Sequence, residues 1–537
     1  MALVNLPVLI TSGDLLPGGG ELNGRRWAGQ QLLRCWARQA GERPLALAHA
    51  DPAQLKQLEP WLRQQGFTGT LHGLGLVDPE PCRRWGGLFL PDPSIGRWAQ
   101  WRQPAGAAAF SLIGQIHTLS TPAALGHLQD LVSEPVQPWD AVICSSRAGR
   151  DAVRNVLEAR EVQLLRRTGG SHGQLQALRP QLPVIPLPLP PESLPDRPLD
   201  RGAARRALGI AAGEAVVLWL GRLSLFTKLD PWPAYTVLER VARQLPGPLV
   251  LIECGPDDRP SQHPAWEQLR QLCPAVRFVR LGGEQPVPEE VKHQALAAAD
   301  VALSLVDNAQ ETFGLAVAEA MAAGLPVVAS DWSGYRDLVG HGREGFLVPS
   351  RWAAVAPGLS PALGWQQFTG LQGFPAVAGA LAQLVQLDLA AAEIALLTLL
   401  TTPALAKAMG AAGARKARQT LAPPVVMEAY EELFAELTAR RQQAPPMATQ
   451  PQPVSPQLDP VRVFAGFASE TAAPRSTPAN PADLGQLPQA VRDQRFQLWD
   501  LLQYSASGER GSDLSAALID ALLLKHDQST SCGSLET

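Results

Sequence analysis

The first part of the chain alternates short apolar runs with longer stretches in which apolar residues recur at helical spacing. The runs fall at 6–10, 44–49, 87–90, 111–117, 141–145 and 184–187. Short strand-like runs separated by helical stretches predict a parallel α/β sheet. A proline-rich joint follows, from Pro186-Leu-Pro-Leu-Pro-Pro through Pro198. It is too poor in backbone donors to be a strand or a helix. A second alternating series begins after it, with apolar runs at 215–220, 249–253, 277–281, 301–305, 327–330 and 345–348, which predicts a second Rossmann-like domain.

Beyond Pro349 the pattern changes. The segment of about 350–383 contains Gly, Pro and Trp without a clear period and reads as an insertion, and two helical stretches then run to about residue 442. From 442 to about 488 Pro, Ala, Gln, Ser and Thr dominate, a composition that cannot bury enough apolar area to offset chain entropy. Residues 496–503 and 514–525 return to helical spacing, with Ser512-Asp513 as a cap before the second. The division that results is 1–195, 196–441 and 442–537: two Rossmann-like domains, then a flexible linker and a short helical tail suited to docking a protein partner.

Composition narrows the class. A chain of 537 residues exceeds one hydrophobic core, and 46% apolar with 18% charged residues describes an ordinary folded protein. The net charge of −4 leaves no basic surplus for a nucleic-acid backbone. Six scattered cysteines (Cys35, Cys82, Cys144, Cys254, Cys273, Cys532) have neither C-x-x-C spacing nor the density of a secreted scaffold. No basic segment precedes the first apolar run, and the apolar-rich stretch at 377–406 is broken by Gln383, Gln386, Asp388 and Glu393. The expectation is a cytoplasmic protein without a transmembrane segment, compatible with peripheral contact at the inner membrane face.

The chemistry concentrates in three places. The stretch Glu311-Thr-Phe-Gly-Leu-Ala-Val-Ala-Glu319-Ala-Met-Ala-Ala-Gly-Leu-Pro326 predicts a helix over 315–323. Gly324 at its C′ position and Pro326 prevent continuation. The turn Thr312-Phe313-Gly314 leaves the first helix amides, from Leu315 onward, as a ready site for a diphosphate. Glu311 and Glu319 flank that position. Carboxylates would repel phosphate there, but each can accept two hydroxyls of a sugar or a ribose. An isolated E-x7-E is more often a loop acid followed by a solvated helix acid, so spacing alone decides nothing. The second place is Gly221-Arg222-Leu-Ser-Leu-Phe-Thr-Lys228, a strand end whose two cations would reach the same crevice. The third is the first domain, where Gly18-Gly19-Gly20 follows the first strand and His117 ends a later one. A plain turn and a structural histidine are the competing readings.

Glu311 through Ser330, with Ser333-Gly334-Tyr-Arg-Asp337 and Glu344-Gly-Phe-Leu-Val-Pro349, resembles the family 4 glycosyltransferases, the large glycogen-synthase-like retaining group. The resemblance spans about 3–437 apart from the insertion. It implies the GT-B fold, two Rossmann-like domains facing a cleft, and transfer of a sugar from a nucleotide-diphosphate donor with retention and without a metal. It also implies that Glu311 contacts the donor sugar, Glu319 the ribose, Arg222 and Lys228 the diphosphate, the Gly18–Gly20 loop the donor phosphate or acceptor, and His117 the donor sugar. The family commonly has Gly at the Thr312 position and Glu at the Asp337 position, and a spacing from Arg222 to Lys228 one residue shorter. No Asp-x-Asp triplet or His/Cys cluster marks a metal site. The acceptor, whether sugar, lipid or small molecule, has no spelling in the sequence. Alternatives are a sugar-nucleotide epimerase, a phosphorylase, or a nucleotide-sugar-binding scaffold.

Overall fold

The computed structural model describes residues 6–10, 24–49, 52–76, 78–194, 200–257, 259–285, 287–354, 357–452 and 459–467. The Gly18–Gly20 loop and the tail helices expected at 496–503 and 514–525 lie outside the described residues.

Two six-stranded parallel sheets form the two Rossmann-like domains of a GT-B architecture. The first holds β1 (Val8–Ile10), β2 (Leu45–His49), β3 (Leu71–Gly75), β4 (Gly87–Phe89), β5 (Ser111–Gln115) and β6 (Ala141–Ile143) in the order β3-β2-β1-β4-β5-β6. The second holds β7 (Ala215–Leu220), β8 (Leu249–Cys254), β9 (Val276–Leu281), β10 (Val301–Ser304), β11 (Val327–Ser330) and β12 (Gly345–Val348) in the order β12-β11-β10-β7-β8-β9. Relabelled within its own domain, the second order equals the first. In such sheets the crevice opens where the strand order reverses, which here is between β7 and β10, paired through Val301↔Val217 and Ala302↔Leu218.

Central strands such as Leu249–Cys254 are buried along their whole length, as expected where helices cover both faces of a parallel sheet. A buried aspartate anchors each domain. Asp140, ahead of β6, accepts Arg102 Nη1 at 2.6 Å and Nη2 at 2.8 Å, plus the Leu112 and Gln137 amides. Asp300, ahead of β10, accepts Arg205 Nη2 at 2.8 Å and the Val216 amide at 2.9 Å.

The structure redraws several sequence boundaries. Residues 184–187 form no strand: Val184 makes only an isolated bridge to Cys144, because Pro183 and Pro186 deny the ladder its donors. The sixth strand of that sheet is instead β3, whose sequence Leu-His-Gly-Leu-Gly hides it and whose side chains are half-exposed at the sheet edge. The expected insertion is structured, with β13 (Ser350–Trp352) antiparallel to β14 (Val385–Leu387) and helices Leu359–Phe368 and Phe374–Ala382 between them.

The helix Pro423–Gln442, grouped by sequence with the second domain, buries Val426, Met427, Tyr430, Leu433, Phe434 and Leu437 in the core of the first. Conversely Leu187 and Leu189 of the joint belong to the core of the second. The chain therefore crosses between the domains twice, and the Leu189 amide donates to the Leu421 carbonyl at 2.9 Å where the crossings meet. The stretch after residue 442, read as the start of a linker, returns along the first domain. There the Ala108 amide donates to the Ala448 carbonyl and the Gln452 amide to the Gln103 carbonyl.

Candidate active site

A cavity of about 500 Å³ lies at the β7–β10 switch point, between the domains. Its wall contains His117, Gly221, Arg222, Lys228, Glu311, Thr312, Phe313, Gly314, Leu315 and Glu319. Every sequence candidate within the described residues is therefore brought to one chamber.

The loops explain how. Gly221 leaves β7 with φ 137° and Gly314 precedes the helix Leu315–Ala322 with φ 104°, backbone that side-chain-bearing residues rarely adopt. A Cβ on Gly314 would also stand 2.4 Å from the Tyr335 ring. The turn thus needs glycine both for its angle and for its contact with Tyr335. Ser333 adopts φ 47° and its hydroxyl donates to the Glu311 carbonyl at 2.6 Å, so strained backbone clamps the loop that carries the acid.

Glu311 and Lys228 pair directly, with Lys228 Nζ 2.7 Å from Oε2. Burial alone would raise the Glu311 carboxyl. The Lys228 charge and hydrogen bonds from the Gly314 and Phe313 amides outweigh it and hold the group below the usual glutamate range. Two amides just before the helix thus face the carboxylate.

Glu319 has a partner that the sequence did not suggest. Lys292, on the helix Glu289–Ala298, places Nζ 2.9 Å from Glu319 Oε1 and 2.8 Å from Glu289 Oε2, and it lines the same cavity. Burial pushes the Glu319 carboxyl up, against the lowering effect of Lys292 and of a 3.5 Å bond from the Ser193 hydroxyl. The same two glutamates raise Lys292 against its own burial. In the sequence Glu289-Glu-Val-Lys292 reads as an exposed ion pair one helical turn apart, and only the fold carries the ammonium to Glu319. The chamber therefore holds two lysine–glutamate pairs, with Arg222 and the helix start as further positive groups.

The first domain closes over this loop. Thr312 Oγ1 donates to the His117 carbonyl at 2.9 Å, and the Ser146 hydroxyl donates to the Thr312 carbonyl at 2.6 Å. Asp337 accepts Arg147 through its backbone amide at 2.7 Å and Nε at 2.5 Å. A shorter side chain at the Asp337 position thus still makes a charged contact, here across the domains. On the far side of Glu311 and Thr312 a second cavity of about 430 Å³ runs between Leu125, Leu128 and Val156 of the first domain and Trp332 and Trp352 of the second. Among the described residues no group of three or more His, Cys, Asp or Glu could hold a metal ion.

Residues 214–360 match the family model described as "Glycosyl transferases group 1". Among curated relatives, a D-inositol 3-phosphate glycosyltransferase of Nocardia farcinica is 31% identical over 275 residues, 49% of this chain and 57% of the relative. One from a Nocardioides species is 35% identical over 174 residues, 29% of this chain and 36% of the relative. The chain thus spans about half or less of the length of these relatives. Similar solved structures include Anabaena Alr3699/HepE in complex with UDP and glucose (TM-score 0.47, 17% identity, 80% of this chain and 100% of that one). Another is a sucrose-phosphate synthase from Thermosynechococcus elongatus (TM-score 0.47, 18% identity, 81% and 100%).

Proposed function

We propose, taking as premise the match of residues 214–360 to the group 1 glycosyl transferases, that this protein transfers a glycosyl residue from a nucleotide-diphosphate sugar to an acceptor hydroxyl. The observation that carries the reading is the chamber in which two lysine-paired glutamates, Arg222 and a helix start converge. Carboxylates there suit the hydroxyls of sugar and ribose, while cations and helix amides suit a diphosphate between them.

In the proposed arrangement Glu319 takes the ribose, Glu311 the donor sugar, and Arg222, Lys228 and the amides from Leu315 onward the diphosphate. An ammonium has three donors, so Lys228 can keep Glu311 while reaching a phosphate oxygen. Cleavage of the C1–oxygen bond builds negative charge on the departing diphosphate, and preplaced cations stabilise that charge more in the transition state than before it. They perform the role a divalent ion fills elsewhere, so turnover needs no metal. The acceptor oxygen attacks C1 on the face the diphosphate leaves, retaining configuration, and the acceptor proton passes to the departing phosphate oxygen. His117 lines the sugar end of this path.

The two glutamates separate this reading from its rivals. Glu319→Ala removes contacts present in ground and transition states alike and is expected to raise the donor KM more than it lowers kcat. Glu311→Gln keeps size but removes charge beside an oxocarbenium-like sugar, so kcat should fall roughly 10²-fold or more with little change in KM. Wild-type values in both folded variants would contradict the assignment. A changed donor without nucleotide release would indicate an epimerase, phosphate consumption a phosphorylase, and donor binding without turnover a scaffold.

A further inference from the structure

We propose that Asn308 is the positioning residue that holds Lys228 against Glu311, and that the insertion helix Phe374–Ala382 is its anchor. Lys228 and Glu311 sit on loops that follow different strands, β7 and β10, and meet at 2.7 Å. A lysine reaches its partner through a flexible four-carbon stem, so the place of its ammonium depends on how firmly the two loops hold each other. Asn308 is fully buried, three residues before Glu311. Its side-chain nitrogen donates to the Phe226 carbonyl at 2.9 Å and to the Ala378 carbonyl at 3.4 Å. Phe226 stands two residues before Lys228, and Ala378 belongs to the helix Phe374–Ala382. The side-chain oxygen of Asn308 accepts the Gln310 amide at 3.0 Å, while its own carbonyl accepts the Glu311 amide at 3.2 Å and the Trp332 indole at 3.0 Å. One buried residue therefore ties the Lys228 loop, the Glu311 loop, the loop after β11 and the insertion together.

The two ends of the Lys228 loop have other ties. The Leu225 amide donates to Gln262 Oε1 at 2.9 Å, and the Asp230 amide to Asp307 at 3.2 Å. Asn308 takes the carbonyl between them. The insertion presses on the same point, because a Cβ on Gly379 would stand 2.8 Å from Phe226 Cδ1 and 3.3 Å from Phe226 Cα. The strands at its base, β13 and β14, pair with each other, so the helix that meets Phe226 is itself fixed. A buried amide with its hydrogen-bonding groups paired enforces one geometry. Displacing a reacting group by about 1 Å costs roughly 10²-fold in rate, so the packing of Phe226 reaches the chemistry. Asn308 is not among the residues lining the chamber. On the glycosyltransferase reading, on which this inference rests, it acts through Lys228 and touches no substrate.

The test compares Asn308→Ala, Gly379→Ala, Lys228→Met and the double variant Asn308→Ala with Lys228→Met, all in the full chain. Release of nucleotide diphosphate from UDP-, GDP- and ADP-sugars gives kcat and KM. Hydrogen–deuterium exchange of the ligand-free proteins reports loop order whatever the turnover. Asn308→Ala should lower kcat roughly 10- to 100-fold with donor KM within about threefold of wild type, because the Lys292–Glu319 pair is untouched. In the Lys228→Met background the same change should cost less than about threefold, since both substitutions act through one charge. Gly379→Ala leaves Asn308 in place and should lower kcat in the same sense by a smaller factor, which keeps the test open if Asn308→Ala does not fold. Exchange at residues 225–230 should quicken in both variants, while exchange at residues 289–298 stays at the wild-type rate. Fully additive losses in the double variant, unchanged exchange at 225–230, or a lowered Tm with wild-type kcat in the folded protein would overturn the proposal. Quickened exchange at 225–230 in a protein whose wild type releases no nucleotide would support the placement and sink the enzyme reading instead.

Discussion

Replacing Lys292 by methionine removes the ammonium that holds Glu319 and retains most of the aliphatic stem. The side chains of Lys292 and Glu319 are 11% and 7% exposed, so neither charge has much water to fall back on. After the change Glu319 retains one long bond, from Ser193 at 3.5 Å. The other partner of Lys292, Glu289, is half-exposed and carries little weight. Breaking a buried pair from one side costs about 3–5 kcal/mol, which for a domain of this size lowers Tm by roughly 6–20 °C. The pH dependence identifies the cause. Burial already raises the folded Glu319 carboxyl above its unfolded value, and losing Lys292 raises it further. A raised carboxyl adds stability below the unfolded pKa and loses that contribution as pH rises through the folded one. The deficit of Lys292→Met should therefore be large at pH 8 and shrink toward pH 5, where Glu319 can be buried as the neutral acid. Thermal melts of both proteins at the two pH values, with donor KM measured alongside, provide the assay. An equal Tm loss at both pH values, or none, would refute the reasoning.

Lys228→Met should lower kcat by roughly 10²- to 10³-fold through loss of charge at the leaving group. It should also move the acid limb of the kcat/KM profile to higher pH, because Lys228 is a main group holding the Glu311 carboxyl down against burial. A profile with an unmoved acid limb would separate Lys228 from Glu311 in function. Ending the chain after residue 422 should unfold the first domain, since Met427, Tyr430 and Phe434 complete its core. Ending it after residue 452 should leave donor-dependent nucleotide release nearly intact, and loss of that release from a folded protein would place a donor contact downstream.

Much of the fold was legible because strands buried on both faces appear as continuous apolar runs, as at 215–220 and 249–253. Where that spelling failed, the cause was local chemistry. Leu-His-Gly-Leu-Gly makes an edge strand that does not look like one, and the apolar run at 184–187 is kept out of the ladder by its prolines. The helix Pro423–Gln442 was visible as a helix, but its apolar face does not say which of two sheets it completes. In the site, Glu311, Glu319, Arg222 and Lys228 are legible because they lie at strand ends or at a helix start within recognisable motifs. Lys292 is not, because its importance comes from a buried acid 27 residues downstream. The pairing of Lys228 with Glu311 is likewise invisible, because the two residues lie on different loops 83 positions apart.

The central claim is that this cleft releases nucleotide diphosphate from a sugar donor with its own cations. The most direct test incubates the full chain with UDP-, GDP- and ADP-sugars in excess chelator and measures nucleotide diphosphate beside the Glu311→Gln variant. The account predicts release from at least one donor, unchanged by chelation and reduced roughly 10²-fold or more by the substitution. Release that stops under chelation and returns with a divalent ion, or that proceeds equally in Glu311→Gln, would contradict it.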